Sequence, residues 1–106
     1  MEKIEISDNR SVGKNELPFI IAEIGNNHNG NLDLAKEMLK ICKKINVDAV
    51  KFQSYSSDGM VSQIEDPSRH KHFGRFSLPV KDYIELSDLA SKVGVKFMSS
   101  VWDSYY

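Results

Sequence analysis

Apolar positions change their spacing along the chain, and each change marks an element. Residues 3–16 alternate weakly around Asp8-Asn9-Arg10 and Val12-Gly13-Lys14-Asn15. Gly, Asn and Asp stand where a tight turn needs them, which predicts a short β-hairpin over residues 1–16. After Pro18 the run Phe19-Ile20-Ile21-Ala22-Glu23-Ile24-Gly25 is almost continuously apolar and of strand length. That is the pattern of a strand buried on both faces, and it predicts a first core strand over residues 19–23. Gly25-Asn26-Asn27-His28-Asn29-Gly30 then tolerates unusual backbone angles and presents many polar groups, so a loop follows.

From Leu32 the period becomes helical. Leu34, Ala35, Met38, Leu39, Ile41, Cys42 and Ile45 recur at three- and four-residue steps, predicting a helix over residues 32–45. Asn31 is placed to cap it, and Lys40, Lys43 and Lys44 sit near the negative end of its dipole. Asn46 suits the left-handed turn that ends it, and Ala49-Val50-Lys51-Phe52-Gln53 is a second strand. Strand, helix and strand form a right-handed βαβ crossover with both strands parallel in one sheet. Residues 54–77 are polar, rich in Ser, Asp, His and Arg, and lack a clear period; the pattern leaves the structure of this long connection open. Tyr83, Ile84, Leu86, Leu89, Ala90 and Val93 predict a second helix over residues 79–93, with Pro79 near its first turn and Gly94 just past its end. Val95-Lys96-Phe97-Met98-Ser99-Ser100 is the third strand, with residues 95–99 at its centre. The expected sheet has parallel strands in the order one, two, three and helices on one side. The sequence ends at Tyr106, where a fourth element is expected to begin, and residues 17–106 therefore read as a partial barrel or half-sheet, a fragment.

Composition narrows the class. A chain of 106 residues is one domain at most, and 41% hydrophobic with 27% charged residues is ordinary for a packed globular protein. Lys and Arg number 14 against 15 Asp and Glu, a net charge of -1, so there is no positive excess to hold nucleic acid or an anionic membrane. The single cysteine, Cys42, cannot form an intrachain disulfide and falls in the apolar helical pattern, where a buried inert thiol suits a reducing cytoplasm. No apolar run approaches the roughly 20 residues that cross a bilayer, and Met1-Glu2-Lys3-Ile4-Glu5 lacks a signal-peptide core. A cytoplasmic protein, neither exported nor anchored, is expected.

Polar side chains gather at the C-terminal ends of the three strands: Glu23, then Lys51 and Gln53, then Ser99 and Ser100. In parallel α/β folds ligands bind at that end, because loops and helix N-termini converge there. Alternation puts Lys51 and Gln53 on one face, Ile21 and Glu23 on one, and Met98 and Ser100 on one; if those faces point inward, the side chains meet in a common cavity. Lysine inside a short apolar strand needs a partner. Two accounts stand for Lys51: a structural ion pair with Glu23, or a ligand for phosphate or carboxylate. Glu23 alone also suits a helix cap or a loop closure, and Ser100 rises above a solvated hydroxyl only by its placement. His70-Lys71-His72 has weak metal-site spacing and reads rather as a solvated loop. His28 either contacts a ligand or holds its loop through its own hydrogen bonds. The chain contains no G-x-x-x-x-G-K-[ST], no G-x-G-x-x-G and no nucleophile elbow, which weighs against nucleotide-binding and hydrolase readings.

Three blocks carry a resemblance: Asn9-Arg10-Ser11-Val12-Gly13, then Ile20-Ile21-Ala22-Glu23-Ile24-Gly25-Asn26-Asn27-His28-Asn29-Gly30, then Val50-Lys51-Phe52-Gln53. They resemble the N-terminal part of the sialic acid synthase family, which includes N-acetylneuraminate synthase and its legionaminic and pseudaminic acid relatives. The likeness covers nearly the whole chain apart from residues 56–77, with Phe97-Met98-Ser99-Ser100 at matching spacing, and the I-A-E-I-G-x-N-H-x-G block is specific.

The resemblance implies the N-terminal portion of a (β/α)8 barrel that condenses phosphoenolpyruvate with an N-acylated amino sugar, such as N-acetylmannosamine, and releases phosphate. By that likeness Glu23 is the acid that contacts the sugar, Lys51 a ligand of phosphoenolpyruvate and Gln53 its neighbour. Ser100 matches a position that holds threonine in some members and faces phosphoenolpyruvate, and Asn27 and His28 are counted among the substrate-binding side chains. The resemblance also implies a homodimer at full length and a divalent metal, Mn or Mg, whose histidine ligands come from later strands outside this chain. Members of the family are several times longer. The family's sugar-contacting asparagine has no match in residues 56–77, and Phe52 and Trp102 vary among such proteins in ways that bear on which sugar fits. Two other readings remain: a partial barrel that binds a phosphorylated or carboxylated ligand without turnover, and another phosphoenolpyruvate aldol synthase, making heptulosonate or octulosonate phosphates. The E-I-G-x-N-H block favours the sialic acid synthases over the latter.

Overall fold

The structure, a computed structural model, describes residues 2–7 and 9–102. It opens with an antiparallel hairpin of β1 (Lys3–Ser7) and β2 (Arg10–Gly13), in which Ile4 pairs with Val12 and Glu5 with Ser11. Asn9 takes the left-handed conformation there (φ 65°), as the turn residues suggest; Asp8 lies outside the described residues. Arg10 ties the hairpin to Asp48, at the start of the second core strand.

Three strands form the parallel sheet: β3 (Ile21–Gly25), β4 (Ala49–Ser54) and β5 (Lys96–Val101), in the order β3-β4-β5. The helix α1 (Leu32–Lys44) joins β3 to β4 and is capped as its sequence predicts: Leu34 N–H donates to Asn31 Oδ1 at 3.1 Å, and Asn46 turns left-handed after it (φ 62°). Between β4 and β5 come α2 (Ser57–Met60), α3 (Pro67–Phe76) and α4 (Val80–Val93), the last ended by Gly94 at φ 89°.

The two long helices cover the same face of the sheet. Ala35, Leu39 and Cys42 of α1 and Tyr83, Leu86 and Ala90 of α4 pack with Val50 and Phe52 of β4 in one buried cluster. Phe52 is its centre, stacked on Phe97 with 5.7 Å between ring centroids and edge-on to Tyr83 at 6.5 Å. Burying each such large side chain contributes about 2–3 kcal/mol. Burial also pushes the Cys42 thiol above its ordinary pKa, so it stays protonated and unreactive.

One expectation is corrected. The first core strand begins at Ile21 rather than Phe19 and is not buried on both faces, for Ile20 is 53% and Ile21 43% exposed. It is an edge strand of an open arc, paired only with β4 among the described residues. The connection over residues 54–77, whose structure the sequence pattern leaves open, is largely helical: Ser54 completes β4, and α2 and α3 fill most of the rest. Asp66 caps α3 by accepting from Arg69 N–H at 3.2 Å, and Pro67 stands in its first turn. No residue of α3 is fully buried, so its apolar period is faint in the sequence.

Candidate active site

The parallel register sets out the candidate residues. Glu23 stands opposite Lys51, Lys51 opposite Met98, and Gln53 opposite Ser100. Their side chains therefore share the face turned away from α1 and α4, near the C-terminal ends of the strands. Lys51 Nζ lies 3.7 Å from Glu23 Oε2, and the side chains are 35% and 52% exposed. An ion pair that long and that wet contributes on the order of 0–1 kcal/mol. It does little to hold the fold, and both charges are presented on an open face rather than inside a closed cavity.

A break in the ladder shapes this corner. The register between β3 and β4 shifts between Glu23 and Gly25, a bulge of the kind that re-aims side chains at strand ends. Gly25 adopts φ +58°, which glycine takes without strain. Around the point where its β-carbon would stand are Glu23 Oε1 at 3.5 Å, the Gln53 amide carbon at 3.9 Å and Asn27 Nδ2 at 4.0 Å. Asn27 is held there by donating from Nδ2 to the Ile24 carbonyl at 2.9 Å, and Gln53 is anchored through its backbone carbonyl, which accepts from Tyr83 OH at 2.6 Å. The structure thus brings Glu23, Lys51, Gln53 and Asn27 together, with the half-buried Ser100 beside Gln53.

His28 is placed differently. It is fully buried, 6.1 Å from Phe52 on the helix side of the sheet, and its Nδ1 accepts from Gly30 N–H at 3.1 Å. Its Nε2 meets no partner among the described residues, and burial lowers its pKa. The bond to Gly30 is the loop-holding contact that the sequence allows for His28. Phe52 likewise points into the core, so it does not line the site from which a sugar would be selected. Trp102 is 55% exposed at the end of β5.

His70 and His72 lie on α3 rather than in a solvated loop. His70 Nε2 stands 2.6 Å from Asp58 Oδ1, and its side chain is largely covered. Among the described residues no group of three or more His, Cys, Asp or Glu side chains could hold a metal ion, and these residues supply no site for the divalent ion that the resemblance implies. Tyr55, which sequence reasoning passed over, is fully buried and joins two elements: its OH donates to the Phe73 carbonyl at 3.1 Å and accepts from Asn26 Nδ2 at 3.5 Å. Its signal was an aromatic residue directly after an apolar strand. A cavity of about 710 Å³ is at the opposite end of the sheet, between the hairpin and the strand starts, where Ile6, Phe19, Ile21 and Phe97 line it; none of the candidate residues lines it.

Known proteins place this arrangement. The chain is 43% identical over its full length to an uncharacterized protein of Methanocaldococcus jannaschii, covering 31% of that protein. It is 37% identical over 80% of its length to an N,N'-diacetyllegionaminic acid synthase of Legionella pneumophila, covering 27% of it. A crystal structure of an N-acetylneuraminic acid (sialic acid) synthetase from Leptospira borgpetersenii, in complex with citrate, superposes with a TM-score of 0.86 at 28% identity over 97% of this chain and 35% of that one. The chain spans about a third of the length of these relatives, and its three-strand arc is the N-terminal portion of a (β/α)8 barrel. No helix among the described residues is long and apolar enough to cross a membrane. The model of the NeuB family matches residues 38–105, most of the chain, and this protein belongs to that family.

Proposed function

We propose that this chain carries part of the active site of a synthase that condenses phosphoenolpyruvate with an N-acylated amino sugar, such as N-acetylmannosamine, to give a nonulosonic acid and phosphate. The carrying observation is the pairing of Glu23 and Lys51 at 3.7 Å across adjacent strand ends, with Gln53 and Asn27 beside them. In this reaction the enol carbon of phosphoenolpyruvate attacks the sugar aldehyde, water is taken up and phosphate leaves. Lys51 supplies a cation for the phosphate or carboxylate of phosphoenolpyruvate, binding the anion and steadying charge as it moves toward the leaving phosphate. Ser100 and Gln53 add neutral hydrogen-bonding groups on the same face. Glu23 orients the sugar by accepting from its hydroxyls, and the ion pair with Lys51 keeps its carboxylate near the bond-forming carbon. No step is assigned here to a metal, since the described residues offer it no ligand set. The open face also implies that the 106-residue chain does not turn over by itself.

Steady-state kinetics on the full-length protein, with each substrate varied in turn, tests this. Lys51→Ala should chiefly impair use of phosphoenolpyruvate and Glu23→Ala use of the sugar, each by roughly 100-fold or more in kcat/KM. Absence of phosphate release by the wild type with phosphoenolpyruvate and any N-acyl hexosamine would overturn the reading, as would unchanged kinetics in both variants.

A further inference from the structure

A second recess adjoins the Glu23–Lys51 pair. It is a cavity of about 280 Å³ between the loop after β3 and the helix α3, lined by Asn26, Asn27, Asn29, His72 and Phe76. Asn27 belongs to both places, because its amide nitrogen is one of the groups gathered around Gly25 with Glu23 and Gln53. The recess is therefore next to the candidate site.

Its two walls are fixed against each other. Tyr55 OH bonds Asn26 on the loop side and the Phe73 carbonyl on the helix side. Gly30 lies so close to the carbonyl oxygen of Arg75 that a β-carbon there would overlap it, so the end of α3 rests directly on the loop backbone. His72 is set between Phe76 and Phe73, with ring centroids 4.9 and 5.7 Å away, and Arg75 Nη2 lies 3.3 Å from its Nδ1. A guanidinium only donates, so Nδ1 accepts and Nε2 carries the ring hydrogen as a donor. The pocket is preorganised before any ligand arrives.

Its chemistry is selective. The lining holds three amides, an imidazole and a phenyl ring, and no Lys, Arg, Asp or Glu. A phosphate or carboxylate would meet no cationic side chain among the described lining residues, and the Arg75 guanidinium is bonded to His72 Nδ1. A neutral group with a donor, an acceptor and an apolar end is matched by amide, imidazole and ring. The volume falls just below the roughly 300–1,000 Å³ of pockets that enclose a whole drug-sized ligand, so it suits a substituent. The geometry points to this recess as the subsite for the acylamino end of the sugar, with His72 and Phe76 setting which acyl group is accepted; the assignment rests on the sugar substrate proposed above.

The test compares Phe76→Ala and His72→Gln with wild type in the full-length protein, using phosphoenolpyruvate with N-acetyl- or N-butanoylmannosamine. The KM for the N-acetyl sugar should rise about tenfold in each variant while that for phosphoenolpyruvate stays within about twofold. Phe76→Ala should also shift the kcat/KM ratio about tenfold toward the butanoyl sugar. His72 is exposed and Phe76 half-buried, so thermal melts of both variants report whether they fold, and Phe76→Leu serves if Phe76→Ala does not. Unchanged sugar KM and acyl preference in folded variants of an active enzyme overturn the subsite and leave the reaction standing. If the wild type is inactive, calorimetric titration with N-acetylmannosamine, with and without phosphoenolpyruvate, decides the subsite alone: binding weakened about tenfold by either variant supports it, and no binding or equal binding sinks it.

Discussion

Arg10 grips Asp48 with two parallel bonds, Nε to Oδ1 and Nη2 to Oδ2, each 3.2 Å. The same carboxylate accepts from Ile20 N–H at 2.7 Å, and the guanidinium reaches the carbonyls of Ser11 and Pro18 at 2.9 Å each while lying 5.3 Å over the Phe19 ring. One side chain thus fastens the hairpin, the segment leading into β3 and the start of β4 at a single point. The fork geometry makes this pair stronger than an ordinary surface ion pair, and its side chains are only 20% and 25% exposed.

Asp48→Asn should lower stability by about 1–2 kcal/mol at pH 7, since the guanidinium loses a charged acceptor while partly buried. Hydrogen bonding to Arg10 first, and then to the Ile20 amide, holds the Asp48 carboxyl below the usual range. A carboxyl whose folded pKa lies below its unfolded value of about 3.9 contributes fully above that value and loses its contribution as pH falls through the folded pKa. The gap between wild type and Asp48→Asn should therefore narrow in acid. Urea midpoints at pH 7 and pH 3 read it, and an equal gap at both would refute the assignment.

A buried hydroxyl pair gives a second prediction. Ser54 Oγ is 2.5 Å from Ser99 Oγ on the helix side of the sheet, where Ser54 is 3% exposed. Ser99→Ala removes the partner of a buried polar atom and should cost about 1–3 kcal/mol, whereas removing both hydroxyls should cost less than the two single losses added together. A double-mutant cycle by denaturant unfolding measures the coupling; simple additivity would mean that the two oxygens do not depend on each other.

The strands and long helices were legible because their apolar spacing is set by burial on one common core, from Leu39 and Cys42 to Leu86 and Ala90. The site was legible in part. Alternation placed Glu23, Lys51 and Gln53 on one face, but the inward turn of His28 followed from its bond to Gly30, which no periodicity encodes. The short helix α3 was not legible because none of its residues is fully buried: Phe73, Phe76 and His70 are only half-buried, and most of its other residues face solvent. Tyr55 was missed for a related reason: its importance lies in what its hydroxyl joins, not in where it stands in a pattern.

His28 should make stability depend on pH near neutrality. Burial depresses its folded pKa while the unfolded value stays near 6.5, so below that pH the unfolded chain binds a proton that the folded chain does not. Stability is complete above about pH 6.5 and falls as pH drops toward the folded pKa, by at most about 1.4 kcal/mol per pH unit. In His28→Asn the side-chain oxygen can still accept from Gly30 N–H, but the titrating ring is gone. That variant should be less stable than wild type at pH 7.5 because the ring's packing is lost, and the difference should shrink by pH 5. His70 and His72 are common to both proteins and cancel in the comparison, so parallel stability profiles would show that His28 does not titrate in this way.

Two glycines near α3 should respond to alanine with opposite signs. Gly30 has φ +72°, and a β-carbon there would overlap the Arg75 carbonyl oxygen, which is backbone and cannot swing aside. Gly30→Ala therefore combines left-handed strain with displacement of α3 from the loop, and should destabilise by about 1–3 kcal/mol. Gly74 sits inside α3, where a β-carbon would stand 3.6 Å from Ser57 Cβ and Oγ, an ordinary contact. There alanine reduces the freedom of the unfolded chain without strain, and Gly74→Ala should stabilise by about 0.5–1 kcal/mol. Hydrogen exchange over residues 67–76 separates the two effects: protection should fall in Gly30→Ala and rise in Gly74→Ala. Equal protection in both would mean that the end of α3 does not rest on Gly30, and the walls of the recess beside Asn27 would then lack the support that the close Gly30–Arg75 approach gives them.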